Sequence, residues 1–148
     1  MILYRNVGKI ELMKALIIGD TIMGQYTRTG SNTCKLNKAF ICAYAEEFEW
    51  RDRSNHCFRL VLDIDPNSRD FQIGVGTYYM TEYSAKNNRW SGRSGGTYIA
   101  VREAYFYFYS YKDISEIILY KKYNRLEQKF IEEVKAACCT RKIDLSLE

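Results

Sequence analysis

Apolar positions along this chain recur with two periods, and the alternation between them predicts the elements. Residues 2–5 form a short apolar strand ending in the cation Arg5. Asn6 then offers a helix cap, and Ile10, Leu12, Met13, Leu16 and Ile17 make a helical stripe closed by Gly19. A short strand is expected within residues 21–26, ahead of a polar loop rich in Thr, Ser, Asn and Gly. Residues 38–43 read as a second strand running into a helix over 44–51, with Tyr44, Phe48 and Arg51 on one face. Residues 57–65 alternate as a buried strand stopped at Asp65-Pro66-Asn67. Residues 71–81 are strand-like, and Gly74 and Gly76 mark a bulge or a close backbone approach. The turn-rich stretch 84–96 separates that strand from the densely β-forming residues 97–110, and 114–120 suggests one more strand. A final helix over about 124–140 opens with Asn124 and Glu127 in a capping-box spacing. Its stripe is Leu126, Phe130, Val134, Ala137 and Cys138. Uneven mixing of strands and helices predicts one compact α+β domain over residues 1–148, with a mixed or split antiparallel sheet and a C-terminal helix.

The strand near residue 103 is the most informative. Counting by twos puts Glu103, Tyr105, Tyr107 and Tyr109 on one face and Ala104, Phe106 and Phe108 on the other. The phenylalanine face has no polar atom to satisfy and is expected in the core. Hydroxyls on the tyrosine face need water or partners, so that face suits a cleft. The plainer alternative is a surface glutamate beside Arg102.

Composition narrows the chemistry. The 148 residues are 47% hydrophobic and 27% charged, enough for a packed core and against wholesale disorder. A net charge of +4 falls short of a dedicated duplex binder. No apolar run approaches a membrane span, and a cytoplasmic protein without membrane partners is expected. The five cysteines include no C-x-x-C pair, and His56 is the sole histidine, so no metal site is expected. Cys42 and Cys57 are expected to be buried thiols, and histidine-dependent hydrolase mechanisms lose their base.

Taken in order, several short motifs resemble a known family. Leu3-Tyr4-Arg5 on a first strand precedes a helix with Glu11-Leu12 and then Gly24. Lys38-Ala39-Phe40-Ile41, a strand from Arg59 to Ile64, and Glu103-Ala104-Tyr105-Phe106 follow, with Asp113-Ile114 and a strand ending at Tyr120 beyond. This order resembles the small ADP-ribosyltransferase-like proteins of bacteria and their phages, over roughly the first 120 residues.

The resemblance implies NAD as substrate and no metal. It matches the family's first-strand cation to Arg5, as the anchor for a phosphate or the nicotinamide ribose. The strand end that lines the nicotinamide pocket matches Phe40 to Tyr44, and the catalytic glutamate matches Glu103. Arg5 and Glu103 are therefore expected to line one pocket. Asn87 to Arg93, with Arg89, Trp90 and Arg93, takes the place of the target-reading loop. No Ser-Thr-Ser triplet is present, and Val101 stands where arginine-modifying members carry Glu, which points away from a protein arginine as acceptor. The residues alone also allow core packing for Tyr44 and Trp50 and a snorkelling role for Arg5. Two other functions compete with a phage- or toxin-type effector enzyme. One is a non-catalytic inhibitor of a host defence or nucleic-acid-processing complex. The other is an RNA or single-strand binder stacking bases on Tyr105, Tyr107 and Tyr109.

Overall fold

The structure, a computed structural model, describes residues 1–24, 39–46, 58–81, 96–120 and 126–148, with backbone alone for 78–81 and 96–99. Strands β1 (Ile2–Val7), β3 (Ile41–Tyr44), β4 (Phe58–Asp63), β5 (Phe71–Thr81), β6 (Gly96–Phe106), β8 (Ile114–Leu119) and β9 (Asp144–Leu147) build one sheet. Their order is β5-β6-β3-β1-β4-β8-β9. Every neighbouring pair is antiparallel except β8 and β9. β2 (Ile22–Met23) and β7 (Phe108–Tyr109) form a separate two-stranded ladder. The expected α+β domain with a mostly antiparallel sheet and a C-terminal helix is the observed one.

One face of the sheet carries the core. Leu3 and Val7 of β1, Ile41 and Ala43 of β3, Phe58, Leu60 and Leu62 of β4, and Ala104 and Phe106 of β6 pack there, almost fully buried. Two helical segments cover this face. The first, α1 (Lys9–Leu12), runs directly into a π-helical turn, Met13–Ile18. So short a helix is marginal on its own, and burial of Leu12, Ala15 and Leu16 holds it. Gly19, with φ of 86°, ends it in the left-handed conformation that a side chain disfavours. The second, α2 (Gln128–Arg141), buries Phe130, Val134 and Cys138. Phe130 meets Phe58 edge-on at 5.9 Å between ring centres. Arg141 donates from Nε to the Leu16 carbonyl at 2.7 Å and lies over the Tyr111 ring at 3.8 Å, tying the two helical segments together.

Several boundaries shift from expectation. The cap of α1 is Gly8, because β1 keeps Asn6 and Val7 extended. Tyr44 belongs to β3 and not to a helix, since it pairs with Tyr4 on one side and Glu103 on the other. Phe48, Trp50 and Arg51 lie outside the described residues. Glu127 is itself the cap of α2, its ψ of 138° being extended, and Asn124 lies outside the described residues. The strand β9 was not anticipated. Cys42 is half-buried rather than buried, and Cys57 lies outside the described residues. Cys138 is buried, and burial pushes its thiol up to about 11. Among the described residues no helix is long and apolar enough to cross a membrane, and no three metal-ligating side chains cluster.

Candidate functional site

The face opposite the helices brings together three of the expected residues, Phe40, Tyr44 and Glu103. Directly opposed residues of an antiparallel pair share a face. Tyr4 opposes Tyr44, Tyr44 opposes Glu103, and Glu103 opposes Gly74, so one rung crosses β1, β3, β6 and β5. Tyr105, opposite Cys42 and Gln72, extends this face one step along β6. Phe40, two residues before Cys42, meets the Tyr105 ring edge-on at 5.3 Å. Phe40, Tyr44 and Glu103 are thus on one side of the sheet.

Glu103 is only 5% exposed. A carboxylate so placed needs hydrogen bonds, and the Tyr105 hydroxyl donates to its Oε2 at 2.7 Å. The two glycines of β5 make room for this pair. A Cβ on Gly74 would lie 2.6 Å from Cε2 of Tyr105, and one on Gly76 would overlap Oε1 of Glu103. The ring and the carboxylate therefore lie down across a strand that has no side chains beneath them. Here the close-approach reading of Gly74 and Gly76 holds.

Arg5 is elsewhere. It alternates with Leu3 and Val7 and opposes the buried Leu60, which puts it on the helix-covered face. Its Nε and Nη2 donate to the two carboxylate oxygens of Glu11 at 2.8 and 3.1 Å, and Nη1 donates to the Cys42 carbonyl at 2.8 Å. The Tyr109 hydroxyl donates to the same Glu11 carboxylate at 2.8 Å. Desolvation, reinforced by that carboxylate, raises the Tyr109 phenol far above its ordinary value, with Arg5 opposing. Arg5 and Glu103 are on opposite faces and do not line one pocket. The sequence alternation held the signal, because Leu3 and Val7 could not be core without carrying Arg5 with them.

The row of three tyrosines is also broken. A bend at Tyr107 separates β6 from β7. Tyr107 still packs beside Phe40 and Tyr105, but Tyr109 is fully buried in the core. Phe108, expected inside, is half-buried instead, with the Arg69 guanidinium 4.5 Å over its ring. Arg69 also forms a bidentate pair with Asp113, fastening the β4–β5 connection to this bend.

A cation does sit on the Glu103 face, and sequence reading did not single it out. Arg59 opposes Asn6, is 2% exposed, and donates from Nε to Asn6 Oδ1 at 3.2 Å, with the Tyr120 ring 5.8 Å away. Its signal was a lone arginine inside the apolar run of β4. Arg89, Trp90 and Arg93 lie outside the described residues. Comparison with known proteins finds no matching protein family, no matching curated protein and no matching solved structure.

Proposed function

We propose that the chain is an ADP-ribosyltransferase-like enzyme that transfers ADP-ribose from NAD to a macromolecular target, working from the Glu103 face of the sheet. One observation supports this most. The three chain segments that the resemblance joins are adjacent strands, with Tyr4, Tyr44 and Glu103 register partners on one rung. In this reading Glu103 is the catalytic carboxylate, and it stabilises the positive sugar that develops as nicotinamide leaves. Tyr44 and Phe40 supply the aromatic wall against which a nicotinamide ring packs. The first-strand role assigned to Arg5 does not carry over, because that guanidinium is engaged by Glu11 on the other face. Arg59, which donates to Asn6, is a positive group on the working face among the described residues. The protein's setting in this reading is the cytoplasm, with a protein or nucleic acid as acceptor.

The non-catalytic binding module is the second reading. It is favoured by the bond from Tyr105 to a nearly buried Glu103 carboxylate, since such a pair is also what a purely structural glutamate makes. Labelled NAD with host lysate separates the two. Under the enzymatic reading, nicotinamide release or label transfer occurs and falls by about 100-fold or more in Glu103→Gln, the size of effect expected for losing a group that stabilises transition-state charge. Full activity in that variant removes Glu103 from the chemistry. No turnover by the wild type, joined to tight capture of a host complex, favours the binding module.

A further inference from the structure

The strand that carries Gly74 and Gly76 is also the terminal strand of the sheet, with no described strand beyond it. Such an edge exposes a row of backbone donors and acceptors, and soluble proteins ordinarily blunt it with charge, proline or brevity. β5 has none of these. It is 11 residues long, and Phe-Gln-Ile-Gly-Val-Gly-Thr-Tyr-Tyr-Met-Thr contains no charged residue and no proline. On the face away from Glu103, Ile73 is 39% and Val75 50% exposed, large β-branched side chains that open water does not favour. The opposite edge differs. β9 is four residues long and begins with the exposed Asp144.

We propose that β5 is the seam of a homodimer, pairing antiparallel with β5 of a second copy about a two-fold axis at Gly74. An antiparallel strand can be its own partner, which is what a symmetric interface requires. With the axis at Gly74, Ile73 of each copy opposes Val75 of the other, so four exposed apolar side chains gather on one face. The neutrality of β5 makes self-pairing cheap electrostatically. Among the described residues, a flanking cation on β6 is Arg102, which opposes Val75. Across the seam the two Arg102 side chains stand at least three strand spacings apart, about 14 Å. That exceeds the screening length of about 8 Å in physiological salt. On the other face Gly74 and Gly76 add no side chains of their own, and a paired outer edge supplies order that a lone edge lacks.

Light scattering across a range of protein concentrations tests this without reference to NAD, so its failure says nothing against the enzymatic reading. The wild type is expected as a dimer and Val75→Lys as a monomer. Adding Ile73→Glu to Val75→Lys restores the dimer, since each Glu then faces the other copy's Lys. Amide exchange in residues 71–77 of the wild type slows as concentration rises. A wild type that is monomeric at its highest soluble concentration overturns the proposal. So does a dimer indifferent to Val75→Lys, or amide exchange independent of concentration. If the paired variant stays monomeric, the register about Gly74 is wrong.

Discussion

Each face of the sheet sets a carboxylate against a tyrosine hydroxyl, and the two are held in different ways. Under the helices, Glu11 has a bidentate arginine, a tyrosine hydroxyl and an apolar shell around it. Its lone pairs are matched by donors from two residues, Arg5 of β1 and Tyr109 of β7, which pins α1 to the sheet and to the β2–β7 ladder. Across the sheet, Glu103 accepts a hydrogen bond from Tyr105, two residues along its own strand, and lies over glycines. A carboxylate that staples elements together is structural. Glu103, lying over the two glycines of the neighbouring strand, is the carboxylate that the proposed chemistry uses.

Removing each carboxylate breaks the comparison most directly. Glu11→Ala takes from the buried Arg5 its carboxylate partner, and a loss of about 3–5 kcal/mol is expected in urea unfolding. Glu103→Gln keeps the shape and an acceptor for Tyr105, so its stability should stay near wild type while turnover collapses. A large unfolding effect at Glu103 would make the two faces alike and both structural. Gly76→Ala comes next. Its methyl displaces the Glu103 carboxylate, with about 1–3 kcal/mol lost to overpacking. Turnover should fall by about 100-fold, as for a reacting group misplaced by an ångström.

Tyr109→Phe gives the smallest effect, about 0.5–1.5 kcal/mol for one hydrogen bond. It also carries a pH signature. Because folding raises the Tyr109 phenol above its ordinary value of about 10, the unfolded chain loses that proton first. Stability is therefore complete below about pH 10 and falls as pH rises beyond it. In Tyr109→Phe the alkaline decline should be shallower. An unchanged slope would show that Tyr109 does not titrate in the way its burial dictates.

Much of this layout was legible from residue order. The limits of β5 match the expected strand, because Val, Ile, Tyr and Thr between turn signals leave little choice. The side of Glu103 followed from alternation, since Ala104 and Phe106 had to face inward. Alternation failed where the strand itself broke. The bend at Tyr107 resets the phase, so Tyr109 goes to the core and Phe108 does not. Arg5 was misplaced for another reason: a cation suggested a ligand, although its partner Glu11 was six residues away and available. β9 escaped notice because four residues joined in parallel to a distant strand carry almost no local signal.

That last strand has a consequence for how the molecule is made. β8 and β9 run in the same direction, so the chain must cross over through α2 before Leu145 can reach Ile117 or Leu147 can reach Leu119. Until the helix has settled on the sheet, β8 is an open margin in the newly synthesised chain. Strand addition there waits on docking elsewhere, so a chain whose helix has not docked carries an unpaired β8 edge. A cell producing it quickly would meet sticky, half-finished molecules before it met the finished one.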